Sequence, residues 1–340
     1  MTRYRTLACT ATLVSLAVAS CSSDPVGSSS PVILKNRITF TNFRSEGGFG
    51  LYHVGLDGGD PVPLLADAAA HGSCARISPD GRRIVTSHAS LFIVDADGSN
   101  PRDLTASIAN PGYYWSCASW SPDGSRLTAT RRKPSPKSPG SSELYVLRAD
   151  GSELTKLADG DAFYTAEWSP QGDQIMYTSS NYTDGGPYNF AHTVINPDGT
   201  APRRTQQVWS WAKWSPDGHR IAYMCGTTGS SRLCVGTPQG PGVPITEPLV
   251  FNTEFDWAPN SELIAFACPT GICVIESDGT NRRTLIPGTF FSPIWSADGT
   301  LLVFRSQPGQ LFIASADGTG MRLLVSLPGW NENAQFSPVR

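Results

Sequence analysis

Charge is scarce in this sequence and nearly balanced. Lys, Arg, Asp and Glu make up 16% of the 340 residues, and the formal net charge is −3. Proteins that bind nucleic acid or another polyanion usually carry an excess of positive charge on one face. The composition gives no sign of such an excess, so we predict no nucleic-acid partner.

Motifs of catalysis and metal binding are missing as well. The chain has no G-x-S-x-G elbow, no H-E-x-x-H pair, no glycine-rich phosphate loop and no close C-x-x-C. "DADGSN" (95–100) begins like a calcium loop but lacks its third acidic residue and later glutamate, so it is interpreted as a hairpin turn. The five histidines are scattered: His53, His71, His88, His192 and His219. We predict no catalytic residue, no metal and no cofactor, and hence a protein that is not an enzyme.

The apolar stretch at 7–20, "LACTATLVSLAVAS", is too short to span a membrane comfortably. It follows Arg3 and Arg5, an arrangement typical of a secretory signal peptide. Its end, "VAS" before Cys21, resembles a bacterial lipobox, which implies cleavage before Cys21 and lipidation of that residue; an ordinary secretory signal is the alternative. We therefore predict a lipoprotein signal peptide (1–20), a lipidated cysteine with a flexible tether (21–36) and one folded domain (37–340). Such a protein is an exported membrane lipoprotein, at the outer membrane and facing the periplasm or the cell surface.

Six cysteines remain after the signal and the anchor, an even number that favours disulfides in an exported chain. Cys225 with Cys234, and Cys268 with Cys273, each bracket a short turn, and we predict that both pairs are bonded. Cys74 and Cys117 are a third candidate pair, which would bridge blades two and three; equivalent positions of adjacent strands can exceed the roughly 4.4–6.8 Å between Cα atoms that a disulfide needs. Free thiols or a metal site are the alternative for these cysteines.

Two turns recur along the chain. "WSPDG" at Trp120 and Trp214 has variants around Ser78, Ser169, Ala258, Ser296 and Ser337, spaced 38 to 48 residues apart. Proline presets the first corner of a type I turn, aspartate suits the second, and glycine takes the left-handed position that follows. An Asp-Gly hairpin signal recurs out of phase, as in "DADGS" and "ESDGT". Short β-rich runs such as "RIVTS" and "LFIVD" lie between the turns.

One repeat therefore predicts four strands. Strand a ends at the Ser-Pro turn, strand b follows the glycine, strand c ends at Asp-Gly, and strand d carries "RDL", "TKL" or "RTL". A four-stranded period of about 40 to 45 residues is typical of a β-propeller blade. Strands b, c and d occur seven times from residue 37, while the missing first strand a has a substitute at 333–338. We predict an all-β, seven-bladed propeller of four antiparallel strands per blade, closed by the C-terminal strand.

These in-phase repeats resemble the TolB-type propeller repeat of bacterial exported proteins over nearly all of 37–338. The resemblance implies an envelope protein. TolB itself carries a six-bladed propeller behind a smaller α/β domain and works with the lipoprotein Pal. This chain has seven predicted blades and no room for that domain, so it resembles a TolB-like propeller lipoprotein rather than TolB.

The predicted topology sorts the loops onto two faces. The a–b and c–d turns share one end of the blades, here called the plain face, and the b–c and d–a loops share the other, the variable face. Binding residues concentrate on loops that a rigid scaffold holds, so we expect function on the variable face. Aromatic residues before strand a form a predicted binding rim there: Tyr113, Tyr114, Trp115, Phe163, Trp209, Trp211, Phe290, Phe291 and Trp330. Capping of the core is the equal alternative for these rings.

The residue two positions before each Ser-Pro turn is mostly polar, and on the innermost strand it should line the central channel. The predicted channel residues are Arg76, Glu167, Lys213, Asp256 and Gln335. A water-filled ring of charge partners is the first interpretation, and a small-ligand or ion site is the second. The tryptophans one position later, such as Trp120 and Trp214, are predicted to pack between blades.

The sequence thus favours a monomeric, lipid-anchored binding or interaction protein whose partner is an envelope protein or a glycan. A lyase-like carbohydrate-active enzyme and a scaffold similar to the Tol–Pal system are the alternatives. The identity of the ligand, the membrane leaflet and any residual enzymatic activity stay open.

Overall fold

The structure is a computed structural model that describes residues 33–43, 49–65, 74–87, 89–108, 112–116, 118–133, 141–160, 162–181, 189–208, 210–227, 230–249, 254–307 and 309–338. The signal peptide, Cys21 and the tether, which the sequence predicts, lie outside these ranges. Among the described residues no helix is long and apolar enough to cross a membrane.

The described chain forms seven antiparallel sheets, which are the seven predicted blades. In the first half the strands are β1 (Arg37–Phe43), β2 (Phe49–Gly55), β3 (Gly58–Leu65), β4 (Cys74–Ile77), β5 (Arg83–Ser87), β6 (Leu91–Asp95), β7 (Arg102–Asp103), β8 (Tyr114–Trp115), β9 (Ser119–Trp120), β10 (Arg126–Lys133), β11 (Ser141–Arg148), β12 (Thr155–Gly160), β13 (Ala162–Trp168), β14 (Ile175–Asn181), β15 (Asn189–Ile195) and β16 (Arg203–Val208). A single 3₁₀ turn in this described half covers Ala106–Ile108.

The second half continues the same pattern. Its strands are β17 (Ser210–Trp214), β18 (Ile221–Thr227), β19 (Ser230–Gly236), β20 (Val243–Pro244), β21 (Phe255–Trp257), β22 (Leu263–Cys268), β23 (Gly271–Glu276), β24 (Arg283–Pro287), β25 (Phe290–Trp295), β26 (Leu301–Ser306), β27 (Leu311–Ser315), β28 (Arg322–Val325) and β29 (Trp330–Phe336). Blades two to seven run in sequence order from β4–β7 to β25–β28, and blade three divides its strand a into β8 and β9.

Blade one is completed by the C-terminal strand, as the sequence predicts. Its order is β29-β1-β2-β3, and Ile38 lies opposite Phe336 in the pairing of β1 with β29. The side-chain amide of Asn331 adds to this closure, because it donates to the Gly309 carbonyl at 2.7 Å and accepts from Asn42 Nδ2 at 2.9 Å. The ring therefore closes by hydrogen bonds and leaves strand β1 without an open edge.

The core is divided among the seven interfaces between successive blades. One cluster joins Val85 and Leu91 of blade two to Trp120 and Leu127 of blade three, and six similar clusters follow around the ring. The five strand-a tryptophans of the Trp-(Ser/Ala)-(Pro/Ala) turns are all buried: Trp120, Trp168, Trp214, Trp257 and Trp295. Each therefore packs its own blade against the preceding one.

The Ser-Pro-Asp-Gly turn has an internal hydrogen-bond network. In blade three Ser121 Oγ donates to Asp123 Oδ1 and accepts from the backbone N–H of Arg126, which ties both ends of the turn together. Pro122 lies against Gly172 of the next blade, at 3.4 Å from the position a Cβ there would occupy. The turn thus connects blades on the plain face as well as reversing the chain.

The Asp-Gly turn is also an inter-blade contact. At Gly98 (φ +83°) a Cβ would come within 2.1 Å of the Leu64 carbonyl oxygen, which lies on strand d of the preceding blade. The recurrent leucine of strand d packs under the next turn in the same way at Leu104 and Gly151. At Gly98 a side chain would displace the neighbouring backbone, whereas at Gly151 it is the left-handed backbone (φ +87°) that favours glycine.

Candidate functional site

Four of the five predicted channel residues line one cavity of about 360 Å³ at the centre of the ring: Arg76, Glu167, Lys213 and Gln335. Each lies near the end of an innermost strand, two residues before the Ser-Pro turn. The fifth, Asp256, contacts this set through an ion pair with Lys213 (Nζ to Oδ1, 2.9 Å). The innermost strands therefore bring side chains from separate blades to one place.

Backbone groups satisfy part of this ring. Asp256 Oδ2 accepts from the backbone N–H of Trp295 at 2.9 Å, so its carboxylate joins blades six and seven. Gln335 Nε2 donates to the Ala75 carbonyl at 3.0 Å, which joins blades one and two. Asp256, Gln335 and Lys213 therefore have partners within the protein and act as inter-blade connections.

Arg76 and Glu167 differ from their neighbours. The hydrogen bond of the Arg76 guanidinium among the described residues goes to the adjacent Ala75 carbonyl (3.2 Å), and no ion pair or hydrogen bond joins the Glu167 carboxylate to a described residue. Burial raises the pKa of Glu167 above its usual value, and the charges of Lys213 and Arg76 oppose that shift only in part. Burial likewise lowers the pKa of Arg76, against the attraction of Glu167.

Sequence reasoning missed a second group of cavity residues on blades six, seven and one. The structure adds Glu254, Ser292, Arg305, Glu332 and Asn333 to the lining. Strand a carries one extra residue at these sites: Phe291 and Ile294 lie opposite Arg305 and Val303, and Glu332 and Gln335 lie opposite Thr41 and Thr39. Ser292 and Asn333 have left-handed backbones within these bulges (φ 53° and 52°). The bulge of β29 brings Glu332, three positions before Gln335, to the cavity, which strict alternation along the sequence does not reveal. Glu254, Ser292 and Asn333 each lie two positions before Asp256, Ile294 or Gln335, so they continue the alternation one step further along strand a.

The added residues are joined across the cavity wall. Arg305 Nε donates to Ser292 Oγ at 2.7 Å, and its Nη2 lies 3.7 Å from Glu254 Oε2. The guanidinium also lies over the Phe291 ring at 5.7 Å. Arg305 is therefore held in place by groups of blades six and seven.

The predicted aromatic rim divides into buried and exposed members. Trp115 and Phe163 are buried in the clusters between blades, and Phe290 packs against one of them, so these three rings cap the core. Tyr114 and Trp330 are 47% and 42% exposed. Tyr113 and Phe291 are half-buried, Trp209 lies outside the described residues, and for Trp211 only the backbone is described. Of the nine aromatic residues of the predicted rim, Tyr114 and Trp330 are thus the exposed ones among those whose side chains are described.

A buried arginine holds the loop that carries part of this rim. Arg131 donates to Glu143 Oε2 through Nε (2.8 Å) and to the Ile108 carbonyl through Nη1 (2.9 Å). Its guanidinium lies 4.5 Å from the centre of the Tyr113 ring and 5.8 Å from that of Trp115. The charge is paired and the d–a loop of blade three is fixed against the blade beneath it.

Two disulfides lie in equivalent b–c hairpins of blades five and six. Cys225 is bonded to Cys234 and Cys268 to Cys273, with Cα atoms 5.9 and 5.8 Å apart. Cys74 is disulfide-bonded, and Cys117, its predicted partner, lies outside the described residues. Among the residues that the structure describes, no three His, Cys, Asp or Glu side chains are grouped so as to hold a metal ion.

Comparison with known proteins identifies the repeat. A family model described as the TolB beta propeller domain matches residues 105–287. The Tricorn protease homolog of Saccharolobus solfataricus is 24% identical over 310 residues, which are 81% of this chain and 26% of that protein. This chain therefore spans about a quarter of the length of that curated relative.

Solved structures show the same fold at low identity. Puromycin hydrolase superposes with a TM-score of 0.65 at 17% identity, over 87% of this chain and 53% of the other. TolB from Acinetobacter baumannii superposes with a TM-score of 0.54 at 17% identity, over 88% of this chain and 66% of the other. At these identities the likeness extends to the propeller fold alone.

Proposed function

Because this chain belongs to the TolB β-propeller domain family, we propose that it is an exported, non-enzymatic binding module that engages an envelope protein or a glycan through its variable face. The observation that carries the proposal is the central cavity with charged side chains from six blades, and the exposed rings of Tyr114 and Trp330 in the d–a segments add to it. A rigid scaffold that presents loops, exposed aromatic rings and charged groups around one opening has the features of a recognition site.

The proposed location follows from the family and from the N-terminal sequence. Relatives of this fold include TolB, and the lipobox-like sequence before Cys21 supplies a lipid anchor in our proposal. Substitution Cys21→Ser tests the anchor. We expect the variant to move from the membrane fraction to the soluble fraction, and an unchanged membrane fraction would contradict the lipid anchor.

The binding function is tested by crosslinking in intact envelopes, followed by purification of the full chain. Wild-type protein should yield a specific crosslinked partner, and the double substitution Tyr114→Ala, Trp330→Ala should abolish that product. Met321→Ala is the matched control, because Met321 is an apolar side chain of similar exposure (46%) that follows a c–d turn of the plain face. Equal crosslinking by the rim variant and the control would refute recognition through the variable face.

The two partner classes give different results in a second assay. A glycan array probed with the same three proteins should show rim-dependent signals if the partner is a glycan and none if it is a protein. Rim-dependent crosslinking without array signal therefore assigns a protein partner of the envelope.

A further inference from the structure

The lining of the central cavity combines an apolar patch with polar and charged groups, and Arg305 and Ser292 of blade seven lie next to that patch. Ile294, Val303 and Leu311 of blade seven, with Phe255 and Pro293, present an apolar surface. The lining also contains charged side chains from blades two, four and five, namely Arg76, Glu167 and Lys213. The residue two positions before the Ser-Pro turn is polar in the other six blades and is Ile294 in blade seven. The apolar patch therefore includes the one blade in which this position is apolar.

The charged residues of the cavity lining differ in whether they form an ion pair. Lys213 is paired with Asp256 at 2.9 Å, whereas Arg76 and Glu167 form no ion pair with each other or with other described residues. Arg76 belongs to blade two and Glu167 to blade four. In blade three, between them, the same strand-a position is Ser119, whose hydroxyl accepts a hydrogen bond from the Trp168 backbone N–H. Arg76, Glu167 and Glu332 thus line the same cavity without forming an ion pair among the described residues, although Arg76 and Glu167 attract each other at longer range.

Leaving such groups without partners is costly. A partly desolvated charge gains far more from a complementary ion than an exposed one does, and a buried ion pair that lacks one partner is strongly unfavourable. Desolvation already shifts the pKa of Glu167 upward and that of Arg76 downward, away from their charged forms. A ligand with one positive and one negative group would relieve both costs at once.

We propose that this cavity binds a small zwitterion with an apolar body, of the class of an apolar amino acid or dipeptide, with its ammonium group at Glu167, its carboxylate at Arg76 and its apolar part against Ile294 and Val303. Guanidinium is well suited to carboxylate because it donates two parallel hydrogen bonds. The volume of about 360 Å³ is at the lower end of the range of about 300–1,000 Å³ for small-molecule sites. The inference rests on the proposed binding function in that it uses the same central cavity, but it names a different, smaller ligand.

The test is calorimetric titration of the full chain with three probes: leucyl-leucine, its N-acetyl derivative and its C-terminal amide. The free dipeptide should bind, and each blocked derivative should bind about 10- to 100-fold more weakly, the loss expected for one charge-assisted hydrogen-bonded contact of about 1.5–3 kcal/mol. Absence of binding by the free dipeptide, or equal affinity for all three probes, would overturn the proposal. This comparison uses the unaltered protein and does not depend on the folding of a variant.

Substitutions assign the two ends of the ligand. The Glu167→Gln variant should bind the free and the N-acetylated dipeptide with equal affinity. The Arg76→Gln variant should bind the free and the amidated dipeptide with equal affinity. Glu153→Gln, at an exposed turn, is the matched control and should keep the wild-type preference. Retention of the full preference in Glu167→Gln would also overturn the assignment. Loss of dipeptide binding with intact rim-dependent crosslinking would remove this inference alone, whereas loss of crosslinking with intact dipeptide binding would remove the proposed function alone.

Discussion

Substitution Asn331→Ala should weaken the closure of the ring more than any exposed polar substitution does. Asn331 is fully buried, and its side chain donates to the Gly309 carbonyl and accepts from Asn42 Nδ2. Asn42 keeps a second acceptor, the Pro328 carbonyl at 3.1 Å, whereas the Gly309 carbonyl loses this donor. One buried group left unsatisfied costs about 1–3 kcal/mol and a second lost hydrogen bond about 1 kcal/mol, so we expect about 3 kcal/mol in total.

Thermal unfolding followed by circular dichroism measures this loss. At about 2–4 °C per kcal/mol for a chain of a few hundred residues, the midpoint should fall by about 6–12 °C. Asn196→Ala is the control, because Asn196 also donates one side-chain hydrogen bond, to Thr200, but on the exposed surface. A midpoint for Asn331→Ala within 1–2 °C of that control, on the same scale, would refute the role of this network in closure. In the double variant Asn42→Ala, Asn331→Ala the two losses should not add, since both residues belong to one network.

Three further predictions follow from the charges described above. Hydrogen bonds from Ser121 and from the Ser125 backbone lower the pKa of Asp123 to about 2, below the unfolded value of 3.8. The stability that this carboxylate contributes is therefore present above about pH 4 and lost between about pH 4 and 2; Asp123→Asn should flatten the fall of the unfolding midpoint over that interval, and an unchanged slope would contradict it. The pH dependence that Glu167 contributes has the opposite sign, because its pKa is raised on folding. Its contribution to stability is present below the unfolded pKa and is lost as the pH rises through the folded pKa. Without ligand, Glu167→Gln should therefore raise the unfolding midpoint at pH 8 and leave it little changed at pH 4. A lower midpoint at pH 8 would mean that Glu167 has a stabilising partner. Finally, Arg131→Met should destabilise by about 3 kcal/mol in urea unfolding because the Glu143 carboxylate then keeps one cation, the half-exposed Lys156 at 3.7 Å, and the double variant with Glu143→Gln should recover part of that loss.

The architecture could be predicted from the sequence because each blade repeats the same turns. Pro122 and Gly124 reverse the chain at a fixed point, so counting turns counts blades, and the unpaired strand a at 333–338 predicts the closing strand. The channel position could be predicted as well, since alternation from Trp214 places Lys213 on the inner side of strand a. Both inferences rest on periodicity, which the repeats make explicit.

The part of the cavity lining that a β-bulge brings inward could not be predicted from periodicity. One extra residue in strand β29 reverses the facing of what precedes it, so Glu332, three positions before Gln335, joins the cavity although strict alternation does not place it there. Aromatic residues raised a second difficulty, because Trp115 and Tyr114 are adjacent in sequence, yet one is buried and the other half exposed. Loop residues next to a strand end are assigned to core or rim by the three-dimensional path of the loop, and composition does not determine that path.

The pairing of β1 with β29 has a kinetic consequence. Arg37 and Ser337, which are hydrogen-bonded at this junction, lie 300 positions apart in the chain. Joining ends that far apart costs about 2 kcal/mol more loop entropy than closing a single repeat of about 43 residues, and contacts of such long range form slowly. A chain that has assembled only its earlier blades therefore presents β1 as an unpaired strand edge, which invites pairing with another molecule. Pairing of β29 therefore determines whether the ring closes or keeps an open sheet edge that can aggregate, and any factor that delays this pairing lengthens the time during which the edge is exposed.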